Sequence, residues 1–190
     1  MEGEKYLFVV AGPSGVGKDS VMARVRAAHP EIEKTVSITT RAPREGEAEG
    51  VNYYYRTEEQ FQQLLAAGEI LESNCFNDHH YGTLKSEVEK RMAAGKPVLL
   101  NIDVHGAANI KRLYPGSTII FLLPPSWEEL EHRLRGRGTD SDADVKNRLS
   151  IAREELKRAG EFDAWIVNRD LDQAAAELYG IMASRAGLPE

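Results

Sequence analysis

The stretch Gly12-Pro-Ser-Gly-Val-Gly17-Lys18 constrains this chain more than any other. The apolar run Tyr6 to Ala11 before it reads as a buried strand, and Ser20 to Val25 after it reads as the first turns of a helix. Glycines at 12, 15 and 17 let the loop Gly12, Pro13, Ser14, Gly15, Val16 and Gly17 fold back so that backbone N–H groups point at one spot. The helix start adds the positive end of its dipole, and Lys18 adds a full charge. Strand, glycine loop, lysine and helix in this order predict a phosphate cradle rather than an ordinary turn.

One position departs from the usual wording of such loops. A hydroxyl residue commonly follows the lysine and reaches Mg²⁺; Asp19 stands there, and the hydroxyl comes one residue later at Ser20. Three accounts are open. Asp19 holds the metal through water, Ser20 takes the hydroxyl role, or Asp19 caps the helix start.

Length sets the scale of what surrounds the loop. At 190 residues, with 42% hydrophobic and 28% charged residues, the chain fits one soluble domain with subdomains. A single cysteine, Cys75, excludes an intramolecular disulfide and suits a reducing cytoplasm. The start of the chain does not read as a signal peptide, and no segment is expected to enter a membrane. A net charge of −6 argues against binding a nucleic-acid polymer, so anions must be held by focused arginines and backbone amides.

Apolar strands are expected at 6–11, 98–103, 118–123 and 162–168, separated by helices, which predicts an α/β fold with a parallel, doubly wound sheet. Helices are expected over 20–28, 85–94, 107–113 and 145–158, with capping signals at Thr57, Ser126 and Asp170. The stretch from Val36 to about Phe76 breaks the alternation. Its short, half-polar strands (36–40, 51–55, 70–76) predict a small mixed sheet inserted into the main fold. His79 and His80 read as loop residues, Cys75 as a packing residue, and Trp127 and Trp165 as core anchors.

A series of further motifs now carries a resemblance. Ser37-Ile-Thr-Thr-Arg41-Ala-Pro-Arg44-x-Gly46-Glu47-x-x-Gly50-x-x-Tyr53 is followed by Glu72, Tyr81-Gly82-Thr83, Ile102-Asp103, Gly136-Arg137-Gly138-Thr139 and Val167-Asn168. In this order the set resembles the guanylate kinases over nearly the whole chain, from Leu7 to about Ser184. The resemblance implies a P-loop kinase core (1–35, 84–134, 149–190), an inserted GMP-binding domain (36–83) and a mobile lid (135–148). It implies Mg²⁺-dependent transfer of the ATP γ-phosphoryl group to GMP, and to dGMP, by a monomer or homodimer in the cytoplasm.

Residue roles follow from the same likeness. Arg41 and Arg44, three residues apart on one loop, are implied to hold the GMP phosphate, with hydroxyls from Tyr53 and Tyr81; a doubly charged phosphate suits paired guanidinium donors. Guanine presents N1–H and N2–H₂ donors, so a carboxylate is its natural reader, and Glu72 stands at the family's reading position with Ser37 and Thr83 beside it. Asn101 and Asp103 flank Ile102 at the mouth of the sheet. The family is often acidic at both; Asp103 matches and Asn101 does not. Arg133, Arg137 and Arg148 match the lid and lid-flanking arginines that close on the transferring phosphoryl group. Asn168 matches a contact on the adenine side. Mg²⁺ is expected on the ATP phosphates and water, near Asp19, Ser20 and Asp103, with no direct protein ligand.

Two other readings compete. A non-catalytic guanylate kinase-like interaction domain would lack the phosphate-loop or lid residues, whereas Lys18, Arg41, Arg44, Arg137 and Arg148 are all present. The wording Gly-Lys-Asp-Ser also resembles the ribose 1,5-bisphosphate phosphokinases, but that likeness stops at the loop. The segments 41–53 and 72–83, which face the acceptor, follow the guanylate pattern.

Overall fold

All five residues of the first strand are buried, so its sheet needs cover on both faces. A computed structural model, which describes residues 3–32, 35–76, 78–136 and 142–189, shows how that cover is supplied. In chain order the elements begin with β1 (Leu7–Ala11), α1 (Lys18–Ala28), β2 (Ser37–Thr39), β3 (Tyr53–Tyr55) and α2 (Glu58–Ala66). They continue with β4 (Ile70–Phe76), β5 (His79–Leu84), α3 (Lys85–Ala93), β6 (Val98–Asn101) and α4 (Val104–Leu113). The chain then forms β7 (Thr118–Leu123), α5 (Trp127–Arg135), α6 (Asp142–Lys157), β8 (Ala164–Val167) and α7 (Leu171–Ala186).

The main sheet is all parallel, in the order β6-β1-β7-β8. Strand alternation sends Phe8 and Val10 to one face, against Val21, Met22 and Val25 of α1 and Leu178 and Met182 of α7. Leu7, Val9 and Ala11 go to the other face, against Val88 and Met92 of α3 and Ile110 of α4. Helices on both faces make the sheet doubly wound, as expected.

The 36–84 region forms a second sheet in the order β3-β2-β5-β4. β2 pairs parallel with β3 and antiparallel with β5, so the sheet is mixed. Ile38, Phe61 and Ile70 give it a small apolar core of its own, to which Tyr54, Leu64 and Leu84 add. Helix α2 begins at the expected capping box: Thr57 accepts from the Gln60 N–H and the Gln60 side chain accepts from the Thr57 N–H.

Four expectations are corrected. His79 and His80 lie in strand β5, where the His80 ring stacks on Phe61 at 5.2 Å and its Nε2 is 3.2 Å from Glu58. Trp165 is 54% exposed, because β8 is an edge strand and its indole N–H donates to Ala159 O at 2.6 Å on the outer surface. Cys75 is exposed. Helix α4 starts at Val104 rather than Ala107, because Asp103 accepts from the Gly106 N–H at 2.8 Å and so caps it.

Candidate active site

The phosphate loop joins the buried end of β1 to α1. Gly12 and Gly17 have φ of 141° and 100°, and a Cβ at Gly17 would lie 2.5 Å from Asn168 Nδ2. Side chains are excluded there on both grounds. Asn168, buried after β8, donates from Nδ2 to Val16 O at 2.8 Å. Arg133 of α5 donates to Val16 O at 3.3 Å and to Asn168 O at 3.1 Å, while Glu129 holds its Nε at 2.8 Å. These two residues therefore brace the loop from behind. Lys18 Nζ donates to Gly12 O at 2.5 Å and Pro13 O at 3.2 Å, which holds the ammonium over the loop.

Glu155 completes this end of the site, and the sequence reading missed it. It lies within an ordinary amphipathic helix, α6, where no motif marks it. Burial pushes its carboxyl up, and Lys18 together with the Ser14 N–H pulls it back. Its Oε2 is buried and has no hydrogen-bond partner among the described residues.

The second sheet builds the opposite wall. Ser37 pairs in register with Tyr53 on one side and Thr83 on the other, and Thr83 pairs with Glu72. The row therefore crosses all four strands on one face. Glu72 reaches that face only because the ladder slips between Ile70 and Glu72. Residues two apart on a regular strand share a face, and Ile70 faces the small core. The bulge turns Glu72 to the cleft instead. Thr83 Oγ1 donates to Glu72 Oε1 at 2.7 Å. Burial raises the Glu72 carboxyl above its ordinary range, the Thr83 bond opposes this, and the Asp103 charge adds to it.

The loop between β2 and β3 carries the arginines. Arg41 Nη2 donates to both carboxylate oxygens of Glu47, at 2.8 and 2.9 Å. Glu47 also accepts from the Arg44 N–H and the Tyr55 hydroxyl, each at 2.8 Å. The Arg41 guanidinium lies 5.4 Å over the Tyr53 ring, which meets the Tyr81 ring edge-on at 5.9 Å. Arg41, Tyr53 and Tyr81 thus converge, while Arg44 is exposed on the same loop. The Arg41 bond, then the Arg44 N–H, hold the Glu47 carboxyl down at about 2. Glu47 was visible in the sequence as part of a motif, but nothing there marked it as the anchor of Arg41.

A cleft of about 520 Å³ lies between the two walls. Asp19, Arg26 and Asn101 line it from the core side, and Ser37, Tyr53, Glu72, Tyr81 and Thr83 from the second sheet. The two off-pattern positions meet there: Asn101 Nδ2 donates to Asp19 Oδ1 at 2.7 Å. The helix cap of α1 is Gly17, so Asp19 is not the cap residue, and Ser20 is exposed beside it. Arg135 joins the facing ends of α5 and α6 by bonds to Glu131 and Asp142, each at 2.9 Å. Arg148 is half-buried on α6. Arg137 lies outside the described residues.

Comparison with known proteins agrees with this geometry. The family model described as guanylate kinase matches residues 4–185. A guanylate kinase of Parasynechococcus marenigrum is 51% identical over 176 residues, covering 93% of this chain and 97% of that relative. One from Thermobifida fusca is 46% identical over 180 residues, covering 95% and 92%. The crystal structure of guanylate kinase from Anaplasma phagocytophilum superposes with a TM-score of 0.68 at 31% identity, covering 95% of this chain and 85% of that one. With a phosphate cradle on one wall and the matching acceptor motifs on the other, this chain belongs to the guanylate kinase family.

Proposed function

We propose that the protein transfers the γ-phosphoryl group of ATP to GMP, and to dGMP, giving ADP and the nucleoside diphosphate. The observation that carries this reading is the single cleft lined both by Asp19, beside the phosphate loop, and by the row Ser37, Tyr53, Glu72 and Thr83. A donor cradled at one wall and a guanine nucleotide held at the other would meet inside it.

The transfer needs positioning and charge neutralisation more than covalent help from the protein. A phosphate oxygen of GMP attacks the γ-phosphorus in line; the bond to the ADP oxygen breaks, and ADP leaves with that electron pair. Gly12 to Gly17 hold the donor phosphates by backbone N–H groups, and Lys18 turns its ammonium from the loop carbonyls to the outer phosphates. Glu155 balances the Lys18 charge in the free protein. Arg41, Tyr53 and Tyr81 hold the acceptor phosphate, with Arg44 joining them. Arg133 keeps the loop in shape, and Arg148 with Arg137 in a lid over 135–148 closes on the moving group. Domain limits of 36–83 for the acceptor domain and 1–35, 84–134 and 149–190 for the core follow this division of labour. The setting is the cytoplasm.

Mg²⁺ fits the oxygen chemistry at the mouth: the Asp19 carboxylate and the Ser20 hydroxyl are both exposed in the first turn of α1, and hard oxygen donors suit that ion. When bound with ATP it neutralises phosphate charge. Asn101 orients Asp19 toward that role.

Two substitutions test the division between walls. Lys18→Ala is expected to lower kcat by about 10³-fold while GMP binding persists. Glu72→Gln is expected to lower kcat/KM for GMP about 10- to 100-fold with KM for ATP unchanged. Measured by coupled ADP release and by GMP titration calorimetry, equal losses for both nucleotides in either variant would contradict the arrangement.

A further inference from the structure

Arg26 lies on α1 seven residues after Asp19, two turns along the same side of the helix. It lines the cleft together with Asp19, Met22, Glu72 and Thr83. Its side chain is half-buried, and the structure gives its guanidinium no hydrogen bond and no ion pair among the described residues. Other arginines differ: Arg24 on the outer side of the same helix pairs with Asp172, and Arg41 pairs with Glu47. Burial lowers the basicity of Arg26, and only the Asp19 charge, at longer range, offsets that. A half-buried guanidinium with no acceptor among the described residues is partly desolvated without compensation, which is a cost in the free protein. A ligand that brings acceptors into the cleft removes that cost.

The chemistry of the cleft limits which acceptors these are. Arg41, Tyr53 and Tyr81 converge as donors for the acceptor's phosphate. Glu72 offers a carboxylate to N1–H and N2–H₂ of guanine. The acceptors of guanine left over are O6 and N7, the pair that a guanidinium takes with two parallel bonds.

We propose that Arg26 reads the O6/N7 edge of the acceptor base, and so sets the preference for guanine from the core wall while Glu72 sets it from the second sheet. The proposal rests on the assignment of GMP as acceptor. Adenine turns an amino donor toward the same place in position 6, so Arg26 also disfavours AMP.

The test compares GMP with 7-deaza-GMP, which lacks the N7 acceptor, in the wild type and in Arg26→Leu. The wild type is expected to use 7-deaza-GMP about tenfold less well in kcat/KM. Arg26→Leu is expected to lose about tenfold or more on GMP and to bring the GMP to 7-deaza-GMP ratio near one, with KM for Mg·ATP and the melting temperature unchanged. Arg26→Lys, a single point donor, is expected to fall between the two. The proposal is overturned if Arg26→Leu keeps the wild-type kcat/KM for GMP. It is equally overturned if the variant loses the same factor on both nucleotides, since that pattern belongs to a phosphate contact or a structural role. Failure of the wild type to phosphorylate GMP at all is a separate result that removes the acceptor assignment itself.

Discussion

Individual carboxylates carry opposite tasks in this protein, and their surroundings set which. Glu47 is tied by Arg41, and its carboxyl is held at about 2. A depressed carboxyl stabilises the fold above its ordinary value of 4.5, and that contribution is lost as pH falls toward 2. The acceptor loop therefore keeps its ion pair throughout the mildly acid range. Glu72 is shifted the other way, chiefly by burial. A raised carboxyl contributes stability below 4.5, and that contribution is lost as pH rises through its folded value. Guanine donors favour the ionised form, so GMP binding just above the ordinary glutamate range is expected to expel a proton from Glu72. Calorimetry in two buffers of different ionisation enthalpy measures this directly; identical heats in both would contradict it, and Glu72→Gln should abolish the difference. At this scale the sequence was a good guide to residue type and a poor one to partners. Asp19 and Asn101 each stood out as a departure, yet only the fold shows that one holds the other at 2.7 Å.

Elements were legible where a hydrophobic period marked them. The parallel strands and the capped helices lie close to their expected positions because burial and capping leave local patterns. Strand β5 was missed for a physical reason: its alternate residues His79, Tyr81 and Thr83 are polar, so the strand lacks the apolar alternation that signals a half-buried strand. The bulge in β4 was equally hidden, because strict alternation puts Glu72 on the apolar face with Ile70. Gly82 sits under that bulge. A Cβ there would lie 2.8 Å from Ile70 Cγ2 and 2.9 Å from Glu72 O. Gly82→Ala is expected to destabilise the protein by about 1–3 kcal/mol and to move Glu72 off the cleft. Urea unfolding and KM for GMP check both parts. Unchanged stability with unchanged KM would show that the bulge does not fix the carboxylate.

At the scale of the molecule, two sheets with separate apolar cores face each other across one cleft. The division into a parallel core and an inserted mixed sheet was legible because the alternation of apolar strands and helices breaks off at Val36 and resumes near Lys85. The pairing of Asn101 with Asp19, the place of Arg26 of α1 in the cleft wall and that of Glu155 of α6 beside Lys18 were not, since each depends on long-range packing. The central claim is that these walls select a guanine nucleotide for phosphoryl transfer. The most direct measurement is ADP formation from Mg·ATP with GMP, dGMP, AMP, UMP and ribose 1,5-bisphosphate as acceptors. Rapid turnover with GMP and dGMP and little with the others is the expected result. Turnover confined to the sugar phosphate, or none with any acceptor while nucleotide still binds, would contradict the account.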